Sequence, residues 1–160
     1  MKLRPIGVIH SPHTKAAGTP VQTSLAAGVE GTAEVYPQFV SGLKDIDGFE
    51  RIWLVYWFDR AKESQLVVIP YLDTASHGLF ATRAPCRPNP IGFSAVRLLE
   101  VRGNLLRVGG LDVLDNTPLL DIKPYIPSFD VFPAQRIGWF GTVTSTSTTA
   151  DGRFEARSGK

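Results

Sequence analysis

The sequence is poor in the residues that build disulfide frameworks and metal centres. Its 160 residues include one cysteine and three histidines. A single cysteine cannot form an internal disulfide, and the three histidines, His10, His13 and His77, lack the clustered spacing of metal ligands. The composition therefore excludes a disulfide scaffold and implies no metal.

Long apolar runs and a strong excess of one charge are also missing. No run approaches the roughly 18 residues of a membrane span, and the chain does not open with a basic-then-apolar leader. We therefore expect a cytoplasmic protein that makes no membrane contact. The net charge of +2 is mildly favourable for an RNA ligand, but it is far below that of proteins that bind nucleic acid by charge alone.

Short strand patterns separated by turn signals occupy most of the chain, and its length suits a single domain. Many short strands of this kind indicate a barrel or a sandwich, and we expect a mainly β fold: a small closed or partly open β-barrel with short helical segments. The barrel domain is predicted at 1–144 and a polar, frayed tail at 145–160. A helical piece is predicted at 37–45, a two-residue hairpin turn at 103–104, and strands at 2–10, 31–36, 51–58, 66–69, 78–82, 93–102, 105–109, 119–126 and 137–144.

A proline-rich loop is the most informative local feature. Residues 83–92 read Arg-Ala-Pro-Cys-Arg-Pro-Asn-Pro-Ile-Gly, and three prolines so close together exclude a helix interior or a central strand. Residues that precede proline favour extended geometry, so Arg87 and Asn89 project from a backbone that is ordered before any ligand binds. We expect both side chains to contact substrate; the alternative is a rigid connection with solvated arginines.

A second loop, 112–127, carries a different set of polar residues. Its segment 115–117, Asp-Asn-Thr, favours a turn, which Pro118 closes before a short strand. Strand side chains alternate between faces, so one face of that strand carries Asp121, Lys123 and Tyr125. This face is either chemically active or a solvent-exposed surface with a weak Asp–Lys pair.

These two loops, together with two earlier blocks, resemble the TrmO (TsaA-like, YaeB) family. The matching blocks are Ile-Gly-Val-Ile-His-Ser-Pro at 6–12, the segment 42–58 around Gly-Phe-Glu-Arg-Ile-Trp, the proline-rich segment 80–94, and Asp-Val-Leu-Asp-Asn-Thr-Pro at the start of 112–127. The resemblance implies a small β-barrel that works as a homodimer. It also implies an S-adenosylmethionine-dependent methyltransferase that methylates the exocyclic nitrogen of N6-threonylcarbamoyladenosine, next to the anticodon of tRNA.

The resemblance also implies a cofactor site for S-adenosylmethionine. Arg83 or Arg60 can hold the methionine carboxylate in a charge-assisted pair, and Gln22 can bind ribose or adenine edges. For Gln22 and Asp59 a solvated surface role remains equally open. The implied cofactor residues are Pro20, Val21, Gln22, Asp59, Arg60, Arg83, Phe93, Asp115, Asn116, Thr117, Pro118 and Leu119.

Methylation of a urea-like nitrogen needs a group that removes its proton. Asp121 is our candidate, and on the same strand face Lys123 and Tyr125 are expected to contact the threonyl carboxylate and the phosphate or base. His10 is a weaker alternative base, for which a structural role is favoured.

Three functions remain open at this point. The first is the tRNA methyltransferase, for which we expect a homodimer with the site near the subunit interface, around the aromatic residues at Trp57. The second is a β-barrel module that binds a cofactor or nucleotide without chemistry. The third is a methyltransferase with a different acceptor. Small barrels host many functions, so the fold does not decide among the three.

Overall fold

The structure, a computed structural model, describes residues 3–156. Its strands are β1 Gly7–His10, β2 Glu30–Val35, β3 Arg51–Trp57, β4 Val67–Val68, β5 His77–Gly78, β6 Ile91–Arg102, β7 Leu105–Gly109 and β8 Thr117–Pro124. Six of them close into a barrel in the order β1-β2-β7-β6-β3-β8, and every neighbouring pair is antiparallel. The two short strands β4 and β5 pair with each other.

The barrel interior is filled by alternate residues of each strand. In β3, Ile52, Leu54 and Tyr56 point inward and are buried, whereas the residues between them are half-buried on the outer face. Each buried aliphatic side chain contributes about 1.5–3 kcal/mol of transfer free energy, so this alternation fixes which face of each strand is inside. The inner face also receives Ile9, Val35, Val96, Leu106, Val108 and Leu119.

The predicted mainly β fold is confirmed, with the barrel closed rather than partly open. The hairpin of β6 and β7 is also confirmed: Arg102 pairs with Leu105, and Gly103 in the two-residue turn has a φ of 61°. Such a turn requires the left-handed conformation that glycine adopts at little cost. Lys2, at the start of the first predicted strand, lies outside the described residues.

Two of the predicted strands are wrong. Most of 78–82 forms the 3-10 helix Leu79–Ala81, and most of 137–144 forms the 3-10 helix Gly138–Thr142. Within 78–82, Gly78 pairs with Val67 of β4, and side-chain hydrogen bonds hold the helical parts of both segments. Thr82 Oγ1 donates to the Leu79 carbonyl at 2.8 Å, while Trp139 Nε1 donates to the Ala81 carbonyl at 2.8 Å.

The remaining helical segments are short connections. The helical piece predicted at 37–45 is a 3-10 helix, Pro37–Leu43, which starts at a proline, as helices often do. Within the described part of the chain, one α-helical turn forms, α1, Pro127–Asp130. Other 3-10 turns span Thr23–Leu25, Ile46–Gly48 and Gly152–Phe154. Among residues 3–156 no helix is long and apolar enough to cross a membrane.

The segment 148–156 lies against the protein body, which differs from the frayed tail predicted from residue 145. Val21 N donates to the Thr148 carbonyl at 3.0 Å, and Lys62 N donates to the Phe154 carbonyl at 3.0 Å. Phe154 is also buried in a second small core with Val68, Leu79, Ala84 and Cys86. One aromatic side chain thus anchors a segment whose other residues are mostly polar.

Candidate active site

A pocket of about 260 Å³ lies at one end of the barrel. The end of β3 and the starts of β6 and β8 meet there, because Trp57 pairs with Ile91 and Tyr56 pairs with Leu119. The volume is close to the lower end of typical ligand pockets, about 300–1,000 Å³. The walls come from the segments 16–22, 56–61, 82–87, 91–93, 112–117 and 150–155.

The pocket brings together many of the predicted cofactor residues. At its rim the Arg83 guanidinium donates a hydrogen bond to Gln22 Oε1 and lies 5.7 Å from the ring centre of Phe93. Three segments far apart in sequence therefore meet at this contact. The predicted site residues that line the pocket are Pro20, Val21, Gln22, Asp59, Arg60, Arg83, Arg87, Phe93 and Thr117.

The other predicted site residues do not line it. Leu119 points into the barrel core and is fully buried. Asp115 instead accepts a hydrogen bond from Ser11 N at 3.0 Å and a second from the Asn116 side chain at 2.7 Å. The residues outside the pocket are Asn89, Asp115, Asn116, Pro118, Leu119, Asp121, Lys123 and Tyr125.

Two of the lining arginines hold the loops in place. Arg60 donates to the Asp115 carbonyl at 2.7 Å and to Thr117 Oγ1 at 2.9 Å. Arg87 donates to the carbonyls of Thr82 and Ala84, at 3.1 and 3.3 Å. Since both guanidinium groups are occupied by backbone oxygens, Arg83 is the lining arginine best able to pair with an anionic ligand group.

His10, the alternative base, lies away from the pocket. Its Nε2 is 2.8 Å from a carboxylate oxygen of Glu34, on the neighbouring strand β2, and its Nδ1 is 3.9 Å from Asp115. These contacts tie β1 to β2 and to the loop before β8.

A chain of hydrogen-bonded polar groups runs from the buried Tyr56 and Ser94 to the half-buried Asp112 in the pocket. Tyr56 donates to Ser94 Oγ at 3.0 Å, and Ser94 donates to Asp112 Oδ1 at 2.6 Å. Burial raises the pKa of Asp112 to about 6, partly offset by the Ser94 hydrogen bond. Burial also raises the pKa of Tyr56 above its usual range, with the Asp112 charge acting in the same direction. Within the described residues no cationic side chain forms an ion pair with Asp112.

Sequence reasoning missed several lining residues. Tyr56 and Asp112 lie inside the matching blocks 42–58 and 112–127, but neither was predicted as a site residue, although the alternation in β3 places Tyr56 on the inner face. Phe154 and Glu155 also line the pocket, and a single aromatic residue inside a polar stretch was the available signal for them. The pocket also requires glycine at position 92, since a Cβ there would lie 2.3 Å from the Tyr56 ring.

The predicted catalytic face lies on the outside of the barrel, next to the pocket rim. Asp121 of β8 and Phe93 of β6 both pair with Val55 of β3, so they flank the same residue. Asp121 is 2.7 Å from Lys123 Nζ, and Trp53 lies 5.6 Å from Tyr125 and 5.5 Å from Phe93 between ring centres. Phe93 therefore belongs to both the pocket and this outer face.

Among residues 3–156 no group of three or more histidine, cysteine, aspartate or glutamate side chains could hold a metal ion. The polar groups of the pocket suit an organic ligand instead. They offer one available guanidinium, half-buried and exposed carboxylates, and apolar surface from Phe58, Ile91 and Phe93.

A family comparison agrees with the order of the sequence blocks. The family described as the tRNA-methyltransferase O N-terminal domain, TrmO_N, matches residues 8–131. The chain belongs to the TrmO_N family. This match covers all strands of the barrel from the second residue of β1 to the end of β8, together with most of the loops that form the pocket, and it confirms the resemblance.

Curated relatives of this TrmO_N chain come from archaea and bacteria. It is 55% identical to a probable S-adenosyl-L-methionine-binding protein of Pyrococcus abyssi, over 94% of this chain and 83% of the relative. It is 41% identical to an S-adenosyl-L-methionine-binding protein of Archaeoglobus fulgidus, over 81% and 93%. The tRNA (adenine(37)-N6)-methyltransferase of Escherichia coli is 35% identical over 80% of this chain and 59% of that protein.

A solved structure of a family member has the same fold. The crystal structure of TrmO from Pseudomonas aeruginosa aligns with a TM-score of 0.72 and 38% sequence identity. The alignment covers 87% of this chain and 62% of that chain. The TrmO_N barrel therefore spans about three fifths of that longer protein.

Proposed function

We propose that this protein is an S-adenosylmethionine-dependent tRNA methyltransferase whose acceptor is the exocyclic nitrogen of N6-threonylcarbamoyladenosine, next to the anticodon. Family membership and the relatives in Pyrococcus abyssi, Archaeoglobus fulgidus and Escherichia coli support the cofactor and the reaction. Since both tRNA and this cofactor occur in the cytoplasm, we propose that the protein works there.

The charge pattern of the pocket is the observation that carries this proposal. S-adenosylmethionine has a carboxylate, an ammonium and a sulfonium at one end, and an adenine at the other. Arg83 at the rim suits the carboxylate, and Asp112 suits a positive charge, because neither side chain forms an ion pair among the described residues. Phe93 and Phe58 offer apolar surface to a flat ring.

The cofactor supplies an electrophilic methyl group on sulfur. The acceptor nitrogen forms a bond to that methyl carbon as the carbon–sulfur bond breaks, and the nitrogen loses a proton. The protein's task is to hold the reacting atoms in line and to accept the proton. Asp121 is the proposed proton acceptor, and Lys123 and Tyr125 are proposed to position the substrate, with Arg87 and Asn89 as further contacts.

The decisive experiment is mass spectrometry of nucleosides after incubation of the purified protein with tRNA and S-adenosylmethionine. We expect a product one methyl group heavier than N6-threonylcarbamoyladenosine, made only from tRNA that carries this nucleoside. Methylation of tRNA that lacks it would indicate a different acceptor. Cofactor binding without any methylated nucleoside would support the binding-module alternative instead.

Asp112 gives the proposal a pH signature. Because the pKa of Asp112 is raised to about 6, its carboxylate becomes charged as the pH rises through 6. If it pairs with the cofactor's positive charge, affinity should increase between pH 5 and pH 7, and Asp112→Asn should remove most of that increase. Equilibrium dialysis with labelled S-adenosylmethionine measures this. The other charged groups at the pocket are Asp59, Arg60, Arg83, Arg87 and Glu155.

The free energy of unfolding should change with pH in the opposite direction to the cofactor affinity, because it should fall as the pH rises. A carboxyl with a raised pKa contributes stability that is present at low pH and is lost as the pH rises through about 6. The variant Asp112→Asn avoids this loss, on the order of 1–3 kcal/mol, so its Tm at pH 8 should exceed that of the wild type by several degrees. A fall in both affinity and Tm would show that Asp112 is only a structural residue.

We also propose a homodimer with the site near the subunit interface. The stretch 129–140, from α1 to the 3-10 helix Gly138–Thr142, exposes large apolar side chains, and Phe132 is 78% exposed. Exposed apolar patches of this kind mark interaction surfaces, and two-fold self-association is the commonest use. A groove beside this stretch shares Val21, Gln22 and Arg83 with the pocket. The exposed residues are Phe129, Val131, Phe132, Ile137 and Phe140.

Light scattering tests this proposal. We expect twice the mass of one 17.5 kDa chain for the wild type, and a monomer for Phe132→Asp at micromolar concentration. Leu105→Asp is the matched control, because it places the same charge on an exposed apolar position at the β6–β7 hairpin, outside the stretch 129–140. A wild-type monomer would contradict the proposal.

A further inference from the structure

Three aromatic side chains form a continuous row on the outer face of the barrel. Phe93 of β6, Trp53 of β3 and Tyr125, just after β8, contact one another in that order, with ring centres 5.5 and 5.6 Å apart. Phe93 is 54% exposed, and Trp53 and Tyr125 are half-buried, so all three present part of their rings to solvent. A row of this kind contributes little to the core, because the interior is already filled by the opposite face of the same strands.

Positive charges lie beside this aromatic row. Arg51 of β3 lies opposite Arg97 of β6 in the sheet, two residues before Trp53 and on the same outer face. Lys123 of β8 lies directly opposite Trp53. Arg97 has no ion-pair partner among the described residues, and Arg51 donates only to the Ala95 carbonyl, at 3.4 Å. An acidic side chain, Asp121, lies on the same face and forms an ion pair with Lys123.

The row also begins at the pocket. Phe93 lines the pocket rim and contacts Trp53, so the aromatic surface extends from the proposed methyl donor across β3 to β8. If one nucleotide of an RNA places its adenine at the pocket, the nucleotides next to it in the RNA would lie on this face. Aromatic side chains flanked by cations are the recurring way in which proteins bind unpaired bases, since each base stacks on a ring and each phosphate meets a charge.

We propose that Phe93, Trp53 and Tyr125 form a stacking platform for the unpaired RNA bases that flank the acceptor nucleoside, and that Arg51, Arg97 and Lys123 hold the phosphates. This proposal rests on the proposed function, because it takes an RNA loop as the ligand. RNA is favoured over a protein partner by the unpaired arginines and by continuity with the pocket. A second copy of the chain at this face is the alternative that the experiment separates.

The test measures RNA binding without chemistry. Fluorescence anisotropy follows a labelled anticodon stem-loop RNA titrated with protein, in the absence of S-adenosylmethionine. We expect Trp53→Leu to weaken binding on the order of ten- to a hundredfold, the range for loss of one stacked base, while Trp53→Phe retains most of the affinity. Tyr36→Leu is the matched control, because it replaces a partly exposed aromatic residue just after β2, the strand opposite β3 in the barrel order.

Further measurements separate the possible causes of a loss. Arg97→Ala should weaken RNA binding and reduce its dependence on salt, because a phosphate contact releases counterions. Circular dichroism and cofactor affinity should be unchanged in Trp53→Leu; if that variant does not fold, Trp53→Phe combined with Tyr125→Leu replaces it. Wild-type RNA affinity in the folded variant would overturn the proposal, as would a change from dimer to monomer without loss of RNA binding.

The outcome is independent of the reaction itself. If the wild type yields no methylated nucleoside but Trp53→Leu loses RNA binding, the platform stands and the proposed reaction fails. If methylation occurs and the variant binds RNA normally, the reaction stands and the platform fails.

Discussion

The variant Asp121→Asn should keep the barrel and its cofactor affinity but transfer methyl groups at least about a hundredfold more slowly, the lower range for loss of a general base. Asparagine keeps the size of the side chain and can still accept the hydrogen bond from Ile122 N, which is 2.9 Å long. It cannot take the proton from the acceptor nitrogen. Single-turnover rates at saturating S-adenosylmethionine measure this loss.

The observed ion pair between Asp121 and Lys123 is the competing explanation. Both side chains are well exposed, at 46% and 65%, and exposed pairs contribute about 0–1 kcal/mol to stability. Glu30→Gln is a suitable control, because it removes a similarly exposed pair, 2.8 Å from Arg107, elsewhere on the barrel. If Asp121→Asn turns over at the rate of this control, Asp121 is not the base.

The second large effect is expected for Arg83→Ala, which should weaken binding of S-adenosylmethionine about tenfold or more. The Arg83 guanidinium is positioned by Gln22 and by the ring of Phe93 before the ligand arrives, so little side-chain entropy is lost on binding. Isothermal titration calorimetry of both proteins measures the change. Arg102→Ala, which removes an exposed arginine at the far end of β6, is the control.

The demethylated product separates Arg83 from Asp112. S-adenosylhomocysteine keeps the carboxylate and loses the sulfonium charge, so Arg83→Ala should weaken both ligands by a similar factor. Unchanged affinity of Arg83→Ala for S-adenosylmethionine would remove Arg83 from the site. Loss restricted to S-adenosylmethionine would also contradict the carboxylate contact.

Local pattern was sufficient for the barrel strands but not for the segments around them. Alternation and turn residues locate 51–58 and 105–109 to within about one residue of the observed strands. The segments 78–82 and 137–144 carry the same apolar and aromatic residues, yet both form 3-10 helices, and Trp139 in the second donates to the Ala81 carbonyl in the first, a partner that tertiary structure sets. Propensity alone does not determine such partners.

The candidate site shows the same division between features set by local sequence and features set by tertiary packing. Proline and asparagine signals identify the loops that carry Arg83, Arg87 and Thr117, because those signals act on the backbone nearby. The half-buried Asp112, which accepts a hydrogen bond from Ser94, and the anchoring Phe154 depend on packing between segments that are distant in sequence. The alternation in β8 predicted that Asp121, Lys123 and Tyr125 share one face. It did not predict that this face lies beside Phe93 at the pocket rim, because that depends on the pairing of β3 with both β6 and β8.

The order in which this architecture can form follows from its closure. β1 pairs with β8, so a chain emerging from the ribosome cannot complete the barrel until residue 124 is outside the tunnel. The pocket wall formed by Ala150, Phe154 and Glu155 arrives later still. Because domains fold as their chains are synthesised from the N-terminus, a nascent barrel would close first with its ligand site still missing one wall, and binding competence would come last.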